Sequence, residues 1–155
     1  MARPLSGLLT DMVCCPGGDF CSLANARSIT VAEDINRRYK SLDKLESLGN
    51  IDLRISGCMN SCGHHHIGNI GILGVDKDGK AFYQLLLGGN SGEKGKASLG
   101  KIIAKAFAED EISDAVENIL QHYLSERDKN ETFRNTVARL GNASFAEAAN
   151  KARKS

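Results

Sequence analysis

Residues 51–56 alternate strictly, with Ile51, Leu53 and Ile55 on one side and Asp52, Arg54 and Ser56 on the other. A side-chain period of two over six residues predicts a half-buried strand. Two more strands are expected at 69–75 and 81–87, joined by Asp76-Lys77-Asp78-Gly79, where Gly79 can take the positive φ of a hairpin turn. An earlier strand is expected over residues 8–15, ended by Pro16, Gly17 and Gly18.

Elsewhere the period lengthens to that of a helix. Thr30-Val31-Ala32-Glu33 has the form of a capping box, and Val31, Ile35 and Tyr39 follow at intervals of four. Ile112, Ala115, Val116, Ile119, Leu120 and Tyr123 trace the cleanest helical stripe in the chain. Phe133, Val137 and Leu140 predict a shorter helix stopped at Gly141. Leu99, Ile102, Ile103, Ala106 and Phe107 also fall on one stripe, with Ser98 placed to cap it, so a helix is expected there too. The stripes at 99–107 and 112–123 are both expected to face the core. Strands come first and helices last. That order predicts the α+β class: a mixed β-sheet of about four to five strands with helices packed on it.

The length of 155 residues suits one domain, expected over 1–150, with a basic tail at 151–155 left solvated and disordered. Twenty Lys and Arg stand against 19 Asp and Glu, a net charge of +1. So even a balance argues against partners held by bulk charge, and neither a nucleic acid nor a membrane surface is expected. The longest apolar runs, such as 85–87, are far too short to span a bilayer. Ser6 and Gly7 interrupt the only apolar stretch near the start, so no secretory signal is read and a cytoplasmic location is expected.

Candidate chemistry lies in the five cysteines, at positions 14, 15, 21, 58 and 62. An odd number in two tight groups makes a poor disulfide framework and points to metal binding or redox work. Both groups, C-C-P-G-G-D-F-C and G-C-M-N-S-C-G-H-H-H, contain glycines that let the backbone bend thiolates toward one another. Five residues separate Cys15 from Cys21, and three separate Cys58 from Cys62. The first gap is wide for a zinc ribbon and misses the bacterial ferredoxin run. A cubane, with irons at separate corners, tolerates uneven spacing, so an iron–sulfur cluster and zinc both stay open at this point. The glycines from 88 to 95 do not form a Walker loop, because Asn90 stands five places before Gly95 and Ala97 follows Lys96. Lys94, Lys96 and Lys101 are expected on a solvated face, where they could also draw an acidic donor.

Two longer segments carry a resemblance. C-P-G-G-D-F-C-S-L-A-N-A-R-S (15–28) and R-I-S-G-C-M-N-S-C-G-H-H-H-I-G-N-I-G-I-L-G (54–74) resemble the siroheme-dependent nitrite and sulfite reductases. L-L-L-G-G-N (85–90) and E-T-F-R-N-T-V-A-R-L-G (131–141) do so as well, so the similarity runs along nearly the whole chain. The resemblance implies that Cys15, Cys21, Cys58 and Cys62 hold a 4Fe–4S cluster. It implies that Cys62 also bridges to the axial position of siroheme iron, with Asn60 near that cofactor. Cys14 is then left as a small buried residue. His64, His65 and His66 could ligate a metal directly, but are expected to pack beside the cluster loop or donate to sulfur or a tetrapyrrole carboxylate. The implied activity is reduction of sulfite or nitrite, with electrons from a ferredoxin or a flavoprotein passing singly through the bridging sulfur.

Full-length chains of that family are much longer, and their anion-binding arginines and lysines precede the first cysteine pair. Here 14 residues precede Cys15, and Arg3 is their only base. The resemblance therefore implies a C-terminal, cluster-bearing part that needs an N-terminal remainder or a separate subunit and is inactive alone. Two other readings stand beside it. One is a stand-alone iron–sulfur electron-transfer module without siroheme; the other is a structural zinc domain.

Overall fold

Asp78 and Gly79 both take left-handed backbone angles (φ 55° and 78°), and Gly79 donates its N–H to Asp76 Oδ1 at 3.1 Å. Such a turn matches the twist of the strands it joins. β3 (Ile70–Lys77) and β4 (Lys80–Leu87) leave it in antiparallel register from Lys77↔Lys80 to Ile70↔Leu87. The computed structural model describes residues 7–93 and 95–154; Arg3 and Lys94 lie outside them.

β2 (Leu53–Ser56) pairs with β3 in parallel, and β1 (Val13–Cys14) pairs with β2 in parallel. Two short strands, β5 (Lys101–Ile102) and β6 (Phe107–Ala108), run antiparallel to β4. The result is a mixed six-stranded sheet of order β1-β2-β3-β4-β5, with β6 also on β4. The helices are α1 (Ile29–Arg38), α2 (Leu42–Leu48), α3 (Ile112–Glu126), α4 (Phe133–Leu140) and α5 (Asn142–Asn150). One core joins Leu53, Ile55, Ile70, Ile72, Leu85 and Leu87 of the sheet to Val31, Ile35, Val116, Ile119, Leu120 and Tyr123 of the helices. The fold is α+β, as the order of periods predicts, with one strand more than expected.

Three local expectations change. Over residues 8–15 only Val13 and Cys14 pair as a strand. α1 starts one residue before Thr30, with Ser28 at its N-cap position; the Ser28 hydroxyl instead donates to the Cys15 carbonyl at 2.8 Å. Residues 99–107 form no helix. Leu99 and Ile102 are 68% and 53% exposed, and only Ala106 and Phe107 of that stripe are buried. The reason is competition for backbone donors. Gly100 N–H goes to His66 O at 2.7 Å and Ile103 N–H to Leu85 O at 3.0 Å, so the open edge of β4 and a neighbouring loop take donors that a helix needs.

Residues 151–154, expected to trail free, put Arg153 over the Phe107 ring at 4.2 Å from its centroid. Arg153 also donates to Lys105 O at 2.6 Å, and the Lys154 N–H donates to Glu111 Oε1 at 2.9 Å. Among the described residues no helix is long and apolar enough to cross a membrane.

Charge locks the helical layer. Half-buried Arg38 on α1 donates to Asp114 at 2.7 Å and Glu117 at 2.6 Å on α3, and to Asp34 at 3.1 Å within its own helix. Arg38→Ala is expected to lower the unfolding free energy by about 1–3 kcal/mol in urea titrations. Arg38→Lys should recover only part, because one ammonium nitrogen replaces the two guanidinium nitrogens that separately reach Asp34 and the Asp114–Glu117 pair.

Candidate cluster site

Both cysteine groups begin where the parallel strands β1 and β2 end at their carboxyl edge, the customary place for ligands on such strands. Cys15 N–H reaches Ile55 O at 3.1 Å, extending the β1–β2 pairing by one step. Its sulfur then accepts the N–H of Gly57 at 3.1 Å and lies 3.5 Å from Ser28 Oγ. Gly57 O accepts from Asn25 at 2.9 Å and Ala26 at 3.1 Å, so both ends of the first loop are fastened to the start of the second.

This fastening needs glycine. A Cβ on Gly57 would lie 2.8 Å from Ala26 O and 2.9 Å from Gly17 Cα, closer than real Cβ atoms come. Beyond it, the 3-10 turn Gly17–Asp19 brings the Cys21 N–H to Gly17 O at 2.9 Å. An ion pair of Arg27 with Asp19 at 2.7 Å spans the loop, and Tyr83 O–H donates to Arg27 O at 2.6 Å from the sheet.

The second loop is as tightly held. Ser61 N–H donates to Cys58 O at 3.2 Å, His64 N–H to Ser61 O at 2.7 Å, and Gly63 N–H to Ser56 Oγ at 3.1 Å. Ser61 (φ 59°) and His64 (φ 53°) both adopt left-handed angles, a costly choice for residues other than glycine and one that places Cys62 on a sharp outward bend. Cys58 is buried, Cys62 is exposed, and Cys15 and Cys21 lie between those extremes. All are free thiols. Asn60 and Met59 stand exposed on the loop between Cys58 and Cys62.

Cys14 goes elsewhere. It packs against the core, donates its thiol to Cys15 O at 3.2 Å, and burial pushes its pKa up. The adjacent cysteines thus take different partners, the Cys15 carbonyl for Cys14 and the Gly57 N–H for Cys15, while Ser28 interacts with both.

The structure joins the two cysteine loops but does not draw their side chains to one point. Among the described residues no three His, Cys, Asp or Glu side chains could hold a single metal ion. A lone tetrahedral zinc needs such convergence; a cubane holds its thiolates at separate corners.

His65 adds a second signal that sequence reading left unresolved among three histidines. It is fully buried (0% exposed), and neither ring nitrogen has a hydrogen-bond partner among the described residues. Its ring lies 3.9 Å, centroid to centroid, from that of His66. Burial, helped by His66, pushes its pKa down from 6.5 to about 4. The folded chain then binds fewer protons than the unfolded one between those values, so stability rises with pH across the window. Without a prosthetic group the chain is expected to hold His65's full contribution above pH 6.5 and to lose about 2–3 kcal/mol of it by pH 4. Urea titrations of the wild type and His65→Leu across that range check this: the variant's curve should be flatter.

Thiols in two fastened loops and a backbone cradle that a Cβ would fill fit an iron–sulfur cluster at this edge, and the orphaned imidazole lies on the segment that leads away from it. One feature carried no sequence signal. At the amino-terminal ends of β1 and β2 lies a polar cavity of about 640 Å³, lined in part by Asp11, Asn50, Arg54, Asn69, Asn90 and Arg134.

Fold and site together define a class: an α+β domain carrying a thiol site on the carboxyl edge of its parallel strands. Comparison with known proteins makes the assignment specific. Residues 8–155 match the family described as the nitrite and sulphite reductase 4Fe-4S domain, and the chain belongs to that family. A ferredoxin–nitrite reductase of Leptolyngbya laminosa is 32% identical over 126 residues, covering 79% of this chain and 24% of its own length. A sulfite reductase (NADPH) hemoprotein beta-component of Bacillus velezensis is 31% identical over 150 residues, covering 90% of this chain and 24% of its own. The structure of Mycobacterium tuberculosis NirA protein superposes with a TM-score of 0.69 at 26% identity, covering 86% of this chain and 26% of that one. The chain therefore spans about a quarter of the length of these relatives.

Proposed function

We propose that this chain is the cluster-bearing part of a siroheme-linked reductase acting on sulfite or nitrite. Cys15, Cys21, Cys58 and Cys62 would hold a 4Fe–4S cluster, Cys62 would be the thiolate that links it to siroheme, and Asn60 would contribute to binding that cofactor. The observation that carries this reading is the Gly57 N–H on Cys15 Sγ at 3.1 Å, which fastens one cysteine group to the residue before Cys58. When bound, the two prosthetic groups supply single-electron relay and a reducing iron for the six-electron conversion of the anion.

The chain's own residues set the conditions. The Gly57 N–H donates to Cys15 Sγ and holds that sulfur against the start of the second loop. Cys58 is buried and Cys62 exposed, so of the two it is Cys62 whose thiol is open to a further partner. Cationic groups to hold the oxyanion come from the N-terminal remainder or a separate subunit. Relatives named for ferredoxin and for NADPH both match, which supports a ferredoxin or a flavoprotein as donor.

Anaerobic reconstitution of the 155-residue chain with iron and sulfide tests the reading. About four irons and four sulfides per chain, with broad blue absorption, is the expected result. A colourless chain binding one zinc overturns it. Sulfite-dependent oxidation of a reduced donor by this chain alone would overturn its need for a remainder.

A further inference from the structure

We propose that His65 donates a ring N–H to a sulfur of the cluster and thereby raises the cluster's reduction potential; this rests on the cluster reading above. Three observations converge on His65 rather than on its neighbours. His64 and His66 are exposed, and His66 Nδ1 lies 3.5 Å from Ser61 Oγ, whereas His65 is fully buried with both nitrogens unpartnered among the described residues. A neutral imidazole has one donor and one acceptor to place. Buried groups of this kind are almost always satisfied, so an unpaired pair marks a missing partner.

The backbone around His65 is held on both sides, and the ring it carries is fully buried. His65 lies in the 3-10 turn His65–Ile67, whose carbonyls are taken up on both sides: Gly68 N–H donates to His65 O at 3.4 Å and Gly100 N–H to His66 O at 2.7 Å. Gly71 of β3 presses on the His65 carbonyl so closely that no Cβ would fit there. His65 thus sits rigidly, three residues after Cys62, in the segment that returns from the carboxyl edge of β2 to the start of β3.

The chemistry selects the acceptor. Cluster sulfurs accept hydrogen bonds and donate none, and they gain negative charge when the cluster takes up one electron. An N–H aimed at such a sulfur stabilises the reduced form more than the oxidised form, so the potential rises while His65 keeps its proton. Among the described residues no polar group pairs with His65, and a cluster held by the cysteines would supply an acceptor.

The reconstituted chain, His65→Leu and His65→Gln are titrated with dithionite under argon and followed by electron paramagnetic resonance. Equal iron and sulfide content is required for comparison. His65→Leu is expected to move the midpoint potential negative, and His65→Gln, which retains an N–H, to stay nearer the wild type. The reduced wild type should show an exchangeable-proton coupling by electron–nuclear double resonance that His65→Leu lacks. An unmoved potential with the coupling retained means that a buried water satisfies the ring, which overturns the inference. If His65→Leu takes up no cluster, nitrogen-15 labelling of histidine decides in the wild type, because the Gly57 N–H on Cys15 Sγ also exchanges: a histidine nitrogen coupling supports the inference and its absence overturns it. A wild type that binds no cluster sinks the cluster reading as well, so the two failures are distinct.

Discussion

Gly57→Ala is expected to leave the chain unable to retain a cluster and to lower its unfolding free energy by about 1–3 kcal/mol. The added methyl would sit 2.8 Å from Ala26 O, 2.9 Å from Gly17 Cα and 3.3 Å from Ala24 Cβ. Two of those three atoms are backbone, which cannot swing aside as a long side chain does. Relief requires the first cysteine loop to move off the second, and that motion breaks the Gly57 N–H bond to Cys15 Sγ. One substitution therefore strikes stability and cofactor retention through the same displacement.

Gly74→Ala reaches the same junction from β3, with its Cβ 2.6 Å from Ala26 Cβ and 2.7 Å from Gly57 O, and should behave alike. Gly18→Ala is the control. Its Cβ would meet nothing closer than 3.4 Å, and it lies in the same loop. Iron and sulfide per chain after reconstitution, with urea titration of the unloaded protein, separates the three. Gly57→Ala with full iron at wild-type stability would show that the loops need no contact.

The need for that contact is not visible in the sequence, although the cysteine groups themselves are. Spacing marks Cys15, Cys21, Cys58 and Cys62, because thiols clustered among glycines are rare. What spacing cannot show is that β1 and β2 run parallel and side by side, which is what sets residue 15 against residue 57. The β3–β4 hairpin and α3 were legible for a different reason: each buries one face, so its period is written in its own residues. Residues 99–107 carried a helical stripe that the open edge of β4 overrode, since Ile103 bonds to Leu85 rather than to its own turn. α5 left no stripe to read, because small Ala148 and Ala149 do most of its packing beside Phe145. Nor does a run of three histidines say which ring is buried. That depends on where the loop crosses the sheet, a tertiary fact.

Cys14→Ser and Cys15→Ser should part completely, although the two residues are neighbours. Cys15→Ser is expected to abolish cluster retention, and Cys14→Ser to leave iron and sulfide content at the wild-type level with stability changed by no more than about 1 kcal/mol. Cys14 is packed on the core and gives its thiol hydrogen to the Cys15 carbonyl at 3.2 Å. A serine hydroxyl can make that same bond in a similar volume. Cys15 presents its sulfur outward from the strand end, accepting the Gly57 N–H at 3.1 Å. Replacing it with oxygen removes a soft ligand that iron–sulfur centres require and leaves three thiols to hold four corners. Visible absorption of the reconstituted variants reads the outcome directly. A loaded Cys15→Ser beside a stripped Cys14→Ser would shift the first ligand by one residue. That shift would turn the sulfur now held by Gly57 into a structural one, and with it would go the reason for the glycine.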